Sequence, residues 1–213
     1  MGFLKRLKDV ASGRIARSNQ IIGNHGVRIC EKLQTHANPL IEALVGGTAV
    51  CTIELLEAVL FDVKDFRYKD GTEERNPFKE NMGQLNEKNS YEMFKFVAGG
   101  YLALLVKGGY LDSVNDLIDI PQLKREFLNI YEYTEEDIKI FNELVELAQK
   151  DERPSLEFRL YGHIFEKAYN IPFPEAPFQI MNFQLLFRNS FAKIFLPGLL
   201  EMLEKENRDD RAH

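Results

Sequence analysis

The 213-residue chain has no tryptophan, two cysteines and four histidines. Each scarcity excludes something. Two cysteines, Cys30 and Cys51, with no Cys-x-x-Cys pair, cannot form a disulfide framework. Both fall in apolar helical patterns, where a thiol behaves as a small buried hydrophobe. Burial of that kind would raise the pKa of Cys51 and leave it inert as a nucleophile. A cytoplasmic, reducing compartment is the expectation. Four histidines give little material for a metal centre, and there is no Glu-x-x-His of the type that holds paired metals in helical bundles. The Gly-x-Ser-x-Gly, P-loop and Gly-x-Gly-x-x-Gly patterns are absent as well. No cofactor is expected.

Long apolar runs are also missing. The charge-free stretches Ala43–Ile53 and Phe96–Val106 are about half of the roughly 20 residues a membrane span needs. Asp9, Arg14 and Arg17 interrupt any secretory signal. Met1-Gly2 opens like a myristoylation signal, but Arg6 stands where Ser or Thr is required.

The net charge of −6 is unevenly spread. Residues 1–34 hold Lys5, Arg6, Lys8, Arg14, Arg17, Arg28 and Lys32 against Asp9 and Glu31. A basic arm therefore precedes an acidic body. With no basic recognition helix in that body, nucleic acid is not an expected partner.

What is abundant is phenylalanine, 16 residues, within patterns of helical period. Asn38–Asp65 reads as one long helix, with Asn38 as cap and Pro39 in the first position. Gly46-Gly47 lies inside it. Tyr91–Lys107 repeats the device with Gly99-Gly100, capped by Ser90. A glycine inside a helix costs about 1 kcal/mol relative to alanine, so each pair predicts a close approach of another backbone, with a local kink as the alternative. Shorter helices are read over 2–11, 14–22, 27–34, 111–118 and 121–131, with Gly23-Asn24-His25-Gly26 breaking the second from the third. Thr134 begins a capping box for a helix to Lys150. Leu156–Tyr161 fits both strand and helix, and Ser155 favours helix. Pro197-Gly198 is expected to kink or break the last helix.

The expected fold class is all-α: a single-domain helical bundle of about seven to nine helices around two close-packed, glycine-containing central helices. Residues 1–35 form a basic amphipathic arm and 36–206 the bundle. Within the bundle, 67–89 is an exposed polar loop, and 207–213 is a polar tail.

Three sets of residues could carry function. His163 with Glu166, and Glu54 with Glu57, share helix faces and could hold a metal or ligand, with Tyr161 beside them. Phe183, Phe187, Phe191 and Phe195, spaced by four, could form a core stripe or a subunit interface. Phe3, Leu4 and Leu7 opposite Lys5, Arg6 and Lys8 could rest on a partner or a membrane surface. The leading expectation is a non-enzymatic interaction or regulatory protein that self-associates or binds another protein. Its rivals are a ligand-binding protein or enzyme with a pocket between helices, and a protein peripheral to the membrane.

Overall fold

The structure, a computed structural model, describes residues 20–36, 38–107, 111, 119–148 and 155–198. The proposed arm residues Phe3, Leu4, Lys5, Arg6, Leu7 and Lys8 lie outside these, as do most of the helix expected over 111–118 and the tail.

The first described helix, α1, runs unbroken over Gln20–Leu33. The break expected at Gly23–Gly26 does not occur. A Cβ on Gly26 would lie 2.5 Å from Ile53 Cδ1, so the glycine lets α1 settle directly on the next helix. Packing here outweighs glycine's poor helix propensity. Ile22, Ile29, Cys30 and Leu33 are buried, so this part of the 1–35 segment belongs to the bundle core.

Helix α2 spans Pro39–Glu57. Asn38 Oδ1 accepts from the amides of Leu40 and Ile41. The helix widens into a π turn over Ala58–Asp62. Pro39–Asp62 is the one described helix long and apolar enough to cross a membrane, and 78% of its most apolar window is buried inside the bundle.

The segment 67–89 is largely exposed, as expected, but it carries regular structure in place of a plain loop. Strands β1 (Phe66–Arg67) and β2 (Glu73–Glu74) pair antiparallel, with Phe66 opposite Glu74. A short helix, α3 (Pro77–Glu80), and a 3-10 turn (Met82–Gln84) follow. Phe78 is buried, and so is Asn76. The Asn76 amide donates to the carbonyls of Val59 and Val63, and its oxygen accepts from the Phe78 amide. A polar side chain can be buried when its donors and acceptor are used in this way.

Helix α4 (Glu87–Lys107) starts ahead of Ser90, which therefore sits inside its first turn rather than capping it. Helix α5 covers Ile120–Ile130, capped by Asp119. Helix α6 covers Glu135–Leu147, with both halves of the Thr134–Asp137 capping box formed. Between them Glu132 adopts a left-handed conformation (φ 55°), pinned by Arg28 and Lys32. Helix α7 (Leu156–His163) begins at the Ser155 cap and ends in a π turn over Ile164–Tyr169, so 156–161 is helix, not strand. Helix α8 (Pro177–Ser190) passes into a π turn over Phe191–Phe195. Pro197 does not break it, and the chain stays helical through 198. The Leu196 amide bonds back to Phe191, and this wide turn accommodates the proline ring just beyond it.

The result is an all-α, single-domain bundle. Helices α2 and α4 pack together at its centre, α1 and α8 lie along α2, and α6 and α7 lie along α4. Gly47, Gly99 and Gly100 of the central pair meet side chains from outside it. A Cβ on Gly47 would run into the Phe195 ring, and one on Gly99 into the Tyr133 hydroxyl. One on Gly100 would sit 2.7 Å from Leu160 Cδ2 and 3.3 Å from the Phe187 ring.

The π turns keep series of residues spaced by four on one buried face. In an α-helix each step of four residues advances about 40° past a full turn, so such a series drifts off its face. Thr48, Thr52, Leu56 and Leu60 nonetheless stay buried, as do Leu156, Leu160, Ile164 and Ala168. So do Phe183, Phe187, Phe191 and Phe195. Each series runs into a π turn, whose extra residue winds the drift back.

Two alanine substitutions test the glycine gaps. Gly47→Ala is expected to destabilise by about 1–2 kcal/mol in urea melts, overpacking against a rigid ring outweighing the gain in helix propensity. Gly83→Ala, with open space around its Cβ, should be neutral within about 0.5 kcal/mol. Equal effects at the two sites would refute the role given to Gly47.

Candidate functional site

The residues proposed for a metal or ligand site are only partly brought together. His163 is buried, with its ring stacked on Phe96. Its Nε2 lies 3.3 Å from Glu143 Oε2, and its Nδ1 lies 3.6 Å from Glu166 with no hydrogen bond. Glu166 is thus beside His163, as the spacing implied. Glu143 comes from α6, and no local pattern pointed to it. Arg159 Nε binds the same carboxylate at 2.7 Å. Burial and the Arg159 charge hold the His163 pKa below its ordinary value, against the pull of Glu143. Burial alone would raise Glu143, but Arg159 and His163 bring its pKa below the usual range. The arrangement is a charge network joining α6 to α7.

Glu54 and Glu57 stand half-buried on α2. The Glu54 charge acts on Cys51 and Tyr101. Tyr161 is enclosed by Phe78, Phe165, Phe173 and Phe183, and its hydroxyl has no hydrogen-bond partner. Among the described residues, no group of three or more His, Cys, Asp or Glu side chains could hold a metal ion.

Phe183, Phe187, Phe191 and Phe195 are buried in the chain's own core. Phe187 stacks on Tyr101 at 4.2 Å, and Phe191 on Phe195 at 5.2 Å. As a subunit interface the stripe is ruled out, because no partner can reach these rings while the bundle is folded.

Further polar groups are buried as pairs. Lys95 Nζ lies 2.8 Å from both Glu92 and Asp137 and points toward the Phe96 and Tyr133 rings. Asp137 also accepts from Thr134. Burial would raise its pKa, but the bonds from Lys95 and Thr134 lower it overall. Thr48 bonds Tyr131, and the Cys51 thiol faces the Ser190 carbonyl. Burial pushes the Cys51 pKa far up, so it is no ready nucleophile. His25 Nε2 meets Ser90 Oγ at 2.8 Å, linking α1 to α4. Apart from the Thr134–Asp137 capping box, sequence reasoning gave these groups no role, since Lys95 with Asp137, Thr48 with Tyr131, Cys51 with Ser190 and His25 with Ser90 each join residues distant in the chain.

The surface carries two features. An open groove of about 550 Å³ lies between the β1–β2 hairpin and the connector ahead of α8. Glu73, Glu74, Glu80 and Glu175 line it, with Arg75 and Tyr68. Glu74 is engaged structurally, accepting from the Tyr68 hydroxyl and the Gln179 amide. None of His163, Glu166, Glu54, Glu57 or Tyr161 lines the groove. Beside it, the outer face of α8 presents Phe178, Met181 and Leu185. Phe178 stacks on Phe66 of the hairpin at 3.6 Å. Met181 is 46% exposed and Leu185 54%.

The Lys95 pair gives a direct test. Lys95→Met leaves Asp137 buried without its cation and should cost about 3 kcal/mol in urea melts. Adding Asp137→Asn, which removes the charge but keeps a cap acceptor, should recover about half of that loss. A single-variant cost below about 1 kcal/mol would show that the pair does not hold α6 to α4. The Asp137 contribution is fully present above its unfolded pKa of about 4 and is lost as the pH falls through the lower folded value.

Comparison of the chain with protein-family models, with curated proteins and with solved structures finds no match.

Proposed function

We propose that the protein is a non-enzymatic interaction protein that self-associates through the outer face of α8. The observation that carries this is the exposed Met181–Leu185 pair one turn apart, continued by Phe178 and Phe66 onto the hairpin. Large apolar side chains held in water at adjacent positions gain free energy when covered, about 25 cal/mol for each Å² removed from water. The partner in this reading is a second copy, and the compartment is the cytoplasm. The reactive side-chain types support a binding role over catalysis. Cys51, His25 and His163 are buried and outside the groove, and of the groove's carboxylates Glu73, Glu80 and Glu175 are exposed while Glu74 is bonded by Tyr68 and Gln179.

Sedimentation equilibrium of the full chain over a wide concentration range tests this. The unaltered protein should dimerise, and the double variant Met181→Glu, Leu185→Glu should remain monomeric with an unchanged thermal melt. A protein that stays monomeric throughout, or a double variant that associates as before, overturns the proposal.

A further inference from the structure

Among the described contacts that seat helix α1 on the bundle is a buried hydrogen bond made by His25. The ring is 3% exposed and donates to, or accepts from, Ser90 Oγ at 2.8 Å. It lies between two further α4 side chains, with ring centroids 5.1 Å from Tyr91 and 5.8 Å from Phe94. The charged group facing it is Arg28 on its own helix, held in place by Glu132 from the α5–α6 turn. No carboxylate is bonded to the ring among the described contacts, so an imidazolium here would gain no counter-charge and would face the Arg28 guanidinium. Further polar ties of α1 lie at its far end, from Arg28 and Lys32 to Glu132 and from Lys32 to the Ile130 carbonyl.

We propose that His25 is an acid-sensitive latch: protonation of its ring unseats α1 from α2 and α4 while the other helices stay packed. The helix is suited to this. Gly23 and Gly26 are poor helix formers, so its helicity depends on being docked. Below it lie Ile53 and Phe94, which would become accessible. Burial, and then the Arg28 charge, lower the His25 pKa from 6.5 to about 4. The sign follows directly. A seated α1 keeps His25 neutral, and a released α1 lets it bind a proton at the ordinary value. Stability of the seated form is therefore full above about pH 6.5 and declines as the pH falls toward 4. From those two values the released-to-seated ratio should rise roughly 50-fold between about pH 7 and 4.5. Glu132 stays ionised through most of this range, because the bonds from Lys32 and Arg28 lower its pKa. Arg28 thus remains opposite the ring.

The two cysteines report the event separately. Cys30 lies on α1 and Cys51 on central α2, and both are buried. The full chain is labelled with 4,4′-dithiodipyridine at a series of pH values, with rates normalised to a free-cysteine peptide. Labelling of Cys30 should accelerate roughly 50-fold by about pH 4.5 while Cys51 stays protected. In His25→Gln the Cys30 rate should no longer depend on pH. No acceleration at Cys30, acceleration of both thiols in step, or an unchanged pH profile in His25→Gln would each overturn the latch. If that variant does not fold, the His25 ring titration by proton NMR in the unaltered chain must share its midpoint with Cys30 exposure. Separate midpoints would also overturn the proposal.

Discussion

Side chains seated in the glycine gaps of α2 and α4 are the contact on which the other helices depend. Helices α2 and α4 are apolar over much of their surface, so burial alone does not say how neighbours should lie against them. A gap does. Gly47 admits only the Phe195 ring, and Gly100 admits Phe187 and Leu160. Gly99 leaves room for the Tyr133 hydroxyl, which donates to the Lys95 carbonyl. Each occupant comes from outside the central pair. The gaps therefore fix the positions of α8, of α7 and of the α5–α6 turn at once, as close-packed interiors require.

Buried polar pairs add a second layer of specification. Lys95 with Asp137 joins α4 to α6, Thr48 with Tyr131 joins α2 to the end of α5, and Asn76 fastens the hairpin segment to the end of α2. Each is a hydrogen-bonded group that would be costly if mismatched, which penalises alternative helix arrangements. His25 with Ser90 differs in one respect. It joins a helix to the bundle through a group that can change its charge, and no carboxylate bonds it among the described residues.

The sequence was most legible where structure is local. The caps at Asn38, Thr134 and Ser155 were readable because a cap is defined within four residues. The all-α class followed from apolar spacing, and the central position of two helices from their glycine pairs. Distant contacts were not readable. Gly23 to Gly26 looked like a helix break, since nothing local shows that Ile53 and Ser90 lie against it. Asn76 looked like part of a solvated loop, because the carbonyls its side chain donates to, on Val59 and Val63, lie more than ten residues earlier. The phenylalanine series was plain as a series, but whether it faced inward or outward depended on where α2 lay. His163 and Glu166 were paired correctly by their spacing, while Glu143, twenty residues earlier, carried no signal. The exposed pair Met181 and Leu185 was hidden for a related reason: on α8 apolar residues occupy both the inner and outer faces.

The π turn at the end of α8 lets that helix carry one residue more than regular winding places on the same arc. Removing one residue from Phe191–Phe195 would restore regular α-helical bonding, which is locally the better geometry. Because a π turn spreads its extra residue over nearly the same rotation, the chain beyond would keep roughly its direction. The same holds at the ends of α2 and α7. In these three places the chain tolerates a less favoured local backbone and keeps its buried face. Chains sharing this core should therefore gain or lose a single residue at these turns more readily than elsewhere in the same helices.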